Sequence, residues 1–153
     1  MPKGTSNSQL GLDKYIDMLE DWFKKLPPLP ASAKDWIVKL APWLALIFGV
    51  LGVLGGIAAT GLLTVLSPFI ALGGGLGVAT GGIVGAVLAI VASALMIVAF
   101  PGLRDHKAQG WQMAFYSEVV SVVSSVVALN LVGAVISALI GFYILFQVKS
   151  YYK

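Results

Sequence analysis

Charged side chains are absent from a long stretch of the chain, which runs from Leu40 to Leu103 and contains 64 residues. A bilayer core about 30 Å thick needs roughly 20 apolar residues for each helical crossing. The stretch is therefore long enough for two crossings. We predict membrane spans at about 42–66 and 76–100.

The bounds of these two spans follow from local breaking and capping signals. Ser67–Pro68 interrupts the uncharged stretch, and Pro101–Gly102 lies near its end. Proline removes a backbone donor from a helix, so each pair predicts a helix end. Ser32 and Asp35 have the spacing of a capping box, which predicts that the first long helix begins near Ala33.

A second apolar segment runs from Trp111 to Lys149 and is about twice as long as one crossing requires. Asn130 lies near its middle and is a residue that favours tight turns. The segment therefore predicts a hairpin of two spans, at about 111–129 and 131–149. The expected fold class is all-α: a polytopic membrane protein with a bundle of four transmembrane helices.

The basic residues lie on one side of these four spans. They precede the first span, lie between the second and third, or follow the fourth: Lys3, Lys14, Lys24, Lys25, Lys34, Lys39, Arg104, Lys107, Lys149 and Lys153. The positive-inside rule then places both termini in the cytoplasm. Most aromatic residues cluster toward the same side, which predicts an interfacial belt there. We expect a multi-pass protein of a plasma membrane or bacterial-type inner membrane.

Residues 1–31 differ from the membrane domain at 32–153. They comprise a flexible start, an amphipathic helix and a proline-rich linker. The apolar positions of the helix recur at helical spacing: Leu12, Tyr15, Ile16, Leu19, Trp22, Phe23 and Leu26. Its polar face is net negative, which disfavours an electrostatic anchor on anionic lipid, so Trp22 and Phe23 are expected to supply any membrane affinity. Docking on its own bundle and binding to a partner protein are both open.

Small residues recur every fourth position in the spans, as in a glycine zipper. The glycines in these rows are Gly52, Gly56, Gly73, Gly77, Gly81, Gly85, Gly133 and Gly141. Lipid provides no hydrophobic drive for helix association, so helices rely on the close backbone approach that small residues permit. The rows predict either packing within one bundle or an interface between copies.

One face of the third span is polar. It carries the acidic residue of that span and four serines: Glu118, Ser117, Ser121, Ser124 and Ser125. Carboxylates inside membranes are costly, so they pair with cations or face functional cavities. Two interpretations stay open: Glu118 pairs with Lys39, Arg104 or Lys149, or it lines an ion or proton pathway.

Composition narrows the function classes. The chain has no cysteine and one histidine, His106, so we expect no metal or other cofactor. Its formal charge of +3 is divided among cytoplasmic segments and predicts no nucleic-acid binding. We find no nucleophile and base that suggest an enzyme. The expected partners are the lipid bilayer and a second copy or another membrane protein. The favoured function is a non-enzymatic bundle that self-associates or serves as a subunit or scaffold of a membrane complex; the alternative is a small oligomeric channel or transporter lined by Glu118 and the serines.

Overall fold

The structure is a computed structural model that describes residues 7–153, apart from the side chains at 7–12, 76, 78 and 79. The first six residues of the predicted flexible start lie outside it. The described chain is helical and contains no strand. Its elements are α1 (Asn7–Phe23), α2 (Ala31–Leu72), α3 (Leu76–Arg104), α4 (Ala108–Val127), α5 (Leu131–Val148) and a short 3-10 turn (Lys149–Tyr151).

Three helices of the described chain are long and apolar enough to cross a membrane. They are α2, α3 from Thr80 to Arg104, and α5 with the 3-10 turn. Helix α4 is also 20 residues long, but it is less apolar because it contains Glu118, four serines and two glutamines. The predicted membrane class therefore agrees with the fold. Helix α3 is continuous from Leu76 to Arg104.

The helices pack in chain order as antiparallel neighbours, α2 on α3, α3 on α4 and α4 on α5. The connections at 73–75, 105–107 and 128–130 are three residues each, which places consecutive helices side by side. Helix α1 packs against α5. Asn130 makes the predicted turn before α5, and its side-chain oxygen accepts a hydrogen bond from the Gly133 N–H at 3.0 Å.

The predicted helix end at Ser67–Pro68 is wrong, because α2 continues to Leu72. Proline at 68 cannot donate to the carbonyl of Thr64, four residues earlier. The Ser67 hydroxyl donates to that carbonyl instead, at 2.8 Å. The free carbonyl is therefore satisfied and the helix persists through the proline.

Two further helix ends also differ from the predictions. Helix α2 begins at Ala31 after Pro30, without a side-chain cap, so the capping box does not form. Helix α3 passes through Pro101 and ends at Arg104. The α3 and α4 ends cross closely there: a Cβ on Gly102 would lie 2.6 Å from the Cα of Gly110. The connection between α3 and α4 is therefore residues 105–107, shorter than the segment left between the predicted spans at 76–100 and 111–129.

Aromatic residues near the basic end form a cluster inside the bundle. Phe23 of α1 stacks on Phe146 of α5 at 5.6 Å between ring centroids, and Trp111 stacks on Phe115 of α4 at 5.5 Å. Phe23, Trp111 and Phe115 are buried. The Trp111 and Phe115 rings therefore belong to the core and not to the predicted belt. The burial of Phe23 agrees with docking of α1 on its own bundle, one of the two interpretations left open above. Trp22, in contrast, is 61% exposed.

Most of the predicted glycine contacts lie within the bundle. Gly52 and Gly56 of α2 face Ser93 and Ile90 of α3. On the next helix, a Cβ at Gly81 would lie 2.7 Å from the Val127 oxygen. Glycine rows therefore seat α3 against both α2 and α4.

Three glycines of the predicted rows have other surroundings. Gly73 is the C-cap of α2, and Gly133 faces the side chain of its own N-cap residue, Asn130. A Cβ at Gly77 would meet no atom of the described residues within 4 Å. These three positions do not contribute to helix–helix contact within the bundle.

Gly85→Leu is expected to destabilise the bundle by about 1–3 kcal/mol or more, because its Cβ would lie 2.8 Å from Ala128 Cβ and 3.0 Å from the Ser124 oxygen. Gly55→Leu is the matched control, because a Cβ at this glycine of α2 would meet no atom of the described residues within 4 Å. Thermal unfolding in detergent should show a lower Tm for Gly85→Leu and an unchanged or higher Tm for Gly55→Leu. Equal melting of both variants would contradict the assigned packing.

Candidate functional site

Glu118 lies on the inner side of α4, where it meets α5. The Ser137 hydroxyl donates a hydrogen bond to Glu118 Oε1 at 2.7 Å. Gly141, one turn further along α5, leaves the space that the Glu118 carboxyl group occupies. The α4–α5 hairpin therefore forms a fitted position for one carboxyl group, built from a hydroxyl donor and a missing side chain.

Two serines of the predicted polar face hold α4 against α3. The Ser117 hydroxyl donates to the Ala92 oxygen at 2.7 Å, and the Ser124 hydroxyl donates to the Gly85 oxygen at 2.6 Å. Both serines are buried. Their hydroxyl groups are engaged in helix packing, which gives them a structural role.

The other two serines have different surroundings. Ser125 donates to the Ser121 oxygen at 3.1 Å within α4. Ser121 lines a cavity of about 170 Å³ between α2, α3 and α4, together with Ser93 and Glu118. The structure thus brings Ser117, Ser121 and Glu118 to one cavity and turns Ser124 toward α3.

Glu118 also lines a second cavity, of about 240 Å³, between α2, α3, α4 and α5. Its other walls are apolar, and they include Phe48 and Met96, which line the first cavity as well. The carboxyl group therefore lies where the two cavities adjoin.

The predicted cationic partners of Glu118 are wrong for the described residues. No ion pair in this part of the chain involves Glu118, and Lys149 instead pairs with Glu20 of α1. The Lys149 ammonium also lies 5.4 Å from the centre of the Trp111 ring. The indole N–H of Trp111 donates to the Leu145 oxygen at 2.8 Å. Lys149 therefore joins α1 and α4 to the end of α5.

The ion pair with Lys149 stabilises the negative charge of the Glu20 carboxyl group. Partial burial acts to raise its pKa, but hydrogen bonds and charge interactions with Lys149 and Lys24 outweigh burial and lower the pKa below its ordinary value. The ionised form is therefore favoured when α1 is docked. This contact contributes to docking at neutral pH and is lost as the pH falls through the lowered pKa.

The site of Glu118 was only partly visible in the sequence. In an antiparallel hairpin that turns at Asn130, a residue 12 positions before the turn lies opposite residues about 12 positions after it. That symmetry points to Gly141. Ser137, four residues earlier on the same helix face, supplies the hydroxyl group, and Gly141 supplies the space for the carboxyl group. The Lys149–Glu20 pair carries no such signal, because the two residues lie in separate elements and are 129 positions apart.

The arrangement can hold a proton or a cation. One carboxyl oxygen accepts the Ser137 hydrogen bond, and no basic side chain neutralises the group in the part of the chain described here. No group of three His, Asp or Glu side chains suited to a metal ion occurs among the described residues. The chemistry available is therefore that of a single acid.

Comparison of the chain with protein-family models, with curated proteins and with solved structures gives no match. The function is therefore argued from the packing, the cavities and the charges themselves.

Gly141→Ala is expected to cost about 1 kcal/mol, because its methyl group displaces the Glu118 carboxyl group from Ser137. In a Glu118→Ala background the same change should cost nothing, since the obstructing group is gone. Chemical unfolding of the two single variants and the double variant measures this coupling. Strictly additive effects would show that Gly141 and Glu118 do not meet.

Proposed function

We propose that the chain is a four-span integral membrane protein with both termini in the cytoplasm and no catalytic role. Helices α2, α3 and α5 have the length and composition of spans. Helix α4 is about 30 Å long and is joined to α3 and α5 by three-residue connections. If α3 and α5 cross the membrane, connections this short require α4 to cross between them. All lysines and arginines then lie on one side.

We further propose that the protein self-associates in the membrane. The observation that supports this is the length of α2: its uncharged residues 40–72 extend about 50 Å, against a hydrocarbon core of about 30 Å. A helix tilted by about 40°, the upper end of the usual range, still extends about 38 Å along the membrane normal. Part of this apolar helix therefore lies beyond the core.

The excess length is at the end opposite the basic residues. Gly82 of α3 faces Leu63 of α2, and its neighbour Gly81 faces the end of α4. Residues 64–80, which we term the outer tip, therefore project past α4 by about 14 Å. The tip is uncharged and carries exposed side chains, among them Phe69 and Leu72. We propose that a second copy of the chain packs against this tip and buries these exposed side chains.

Disulfide cross-linking in native membranes tests self-association directly, because the chain has no cysteine of its own. Phe69→Cys, at a side chain that is 71% exposed, is expected to give a covalent dimer on mild oxidation. Val132→Cys is the matched control, since Val132 is 72% exposed at the outer end of α5 but lies off the tip. It should remain monomeric.

Equal dimer yields from the two variants would indicate random collision and would contradict a specific tip interface. A cross-link from Phe69→Cys to a protein of different mass would replace self-association by a subunit role in a mixed complex.

A second function, a pathway for protons or small cations, is favoured by one observation. Glu118 lies where two cavities adjoin and has no basic partner in the described chain. Proteoliposomes should then show proton or cation flux that Glu118→Gln abolishes and that Glu20→Gln leaves unchanged. An absence of flux in the wild-type protein would rule out the pathway, and the self-associating bundle would then be the function that stands.

A further inference from the structure

Four lysines meet around one cavity at the basic end of the bundle. The cavity has a volume of about 570 Å³ and lies between α1, the linker at 24–30, the start of α2 and the end of α5. The charged side chains in its wall are Lys24, Lys34, Lys149, Lys153 and Glu20. Positive side chains therefore exceed negative ones by three, which favours an anionic ligand.

Two of these lysines are not neutralised by a neighbour. Glu20 pairs with both Lys24 and Lys149. Lys34 and Lys153 form no ion pair with any described residue. They come from α2 and from the end of the chain described here, so the fold has brought two free cations to one wall from positions 119 residues apart.

An unpaired hydroxyl group adds a second, independent feature of a binding site. Tyr152 lines the same cavity and is only 6% exposed, yet its hydroxyl group has no hydrogen-bond partner among the described residues. A buried polar group without a partner costs free energy. The hydroxyl oxygen itself is covered, so a headgroup oxygen in the cavity reaches it only after a small movement of the cavity wall.

The position of the cavity favours a lipid over a soluble anion. Phe23, Leu26 and Phe146 line it beside the lysines, so it offers apolar and cationic walls together. On α1, the neighbouring face exposes Tyr15, Met18 and Trp22. Aromatic residues of this kind lie at the level of lipid headgroups, and basic pockets at the cytoplasmic ends of membrane helices bind anionic headgroups.

We propose that this cavity binds the phosphate headgroup of an anionic phospholipid from the cytoplasmic leaflet, with Lys34, Lys153 and the Tyr152 hydroxyl group as its contacts. Helix α1 alone is a poor anchor, because its polar face is net negative. The docked α1 instead closes a site whose free cations come from α2 and the end of α5. The site depends on the crossing of α2 and α5, not on self-association, so its failure leaves the Phe69→Cys cross-link unaffected.

Native mass spectrometry of the full chain in neutral detergent, titrated with equal amounts of phosphatidylglycerol and phosphatidylcholine, tests the proposal. Two free lysines near an anionic headgroup are expected to favour phosphatidylglycerol by roughly thirtyfold. The variant Lys34→Gln/Lys153→Gln should reduce this preference to near parity. Lys25→Gln/Lys39→Gln removes two exposed lysines outside the cavity wall and should stay within about twofold of wild type.

Tyr152→Phe gives a second measurement that does not depend on the lysine variants. Removal of an unpaired buried hydroxyl group should leave the Tm in phosphatidylcholine nanodiscs unchanged or higher, and should reduce the Tm increase that phosphatidylglycerol produces. Equal retention of the two lipids by the wild type would overturn the proposal. So would a loss of the phosphatidylglycerol preference in Lys25→Gln/Lys39→Gln as large as the loss in Lys34→Gln/Lys153→Gln. Displacement of phosphatidylglycerol by glycerol phosphate at equal concentration would also overturn it, since the ligand would then be a soluble anion.

Discussion

Close approach of α3 to two neighbouring helices is the constraint on which this bundle depends. Burial of apolar surface gives membrane helices no drive to associate, so contact relies on packing and on hydrogen bonds. Glycines of α2 meet α3 on one side, and glycines of α3 meet α4 on the other. Ser117 and Ser124 then donate to α3 carbonyl groups across the second contact. Small residues and hydroxyl groups act at the same place, because the hydroxyl bonds form only when the backbones are close.

This central contact explains how α4 can hold an acidic residue. Helix α4 is the least apolar of the four long helices, and two of its serines are satisfied by α3. The adjacent side of α4 meets α5, where Ser137 and Gly141 receive the Glu118 carboxyl group. The polar side chains of α4 are thus distributed between two neighbours. A helix with this composition is stable in the interior of the bundle because both neighbours supply partners.

The basic end of the bundle is organised by different interactions. Phe23 stacks on Phe146, and Lys149 pairs with Glu20, so α1 is fixed to the end of α5. The linker at 24–30 also contacts the end of α5, since the Leu29 N–H donates to the Gln147 side chain at 3.3 Å. These contacts define the lysine-lined cavity. The outer tip of α2 and α3 is uncharged, which makes the two ends of the protein chemically distinct.

Periodicity and apolar length in the sequence predicted the helices and the turn at Asn130. They failed at Pro68. A serine before a proline is typical of a helix end, but here the Ser67 hydroxyl group bonds to the Thr64 carbonyl group and the helix continues. They also failed for Trp111, since an aromatic residue near an interface has the same sequence pattern whether it faces lipid or a neighbouring ring. The Glu20 contact was not predictable, because ion-pair partners distant in sequence leave no local pattern.

The central claim of this account is that α4 crosses the membrane between α3 and α5. Labelling of single cysteines with a membrane-impermeant maleimide tests it. Leu72→Cys and Leu131→Cys should react from outside intact cells, whereas Lys107→Cys and Ser150→Cys should react only after the membrane is opened. Reaction of Leu131→Cys and Lys107→Cys from the same side would show that α4 does not cross, and would contradict the four-span bundle.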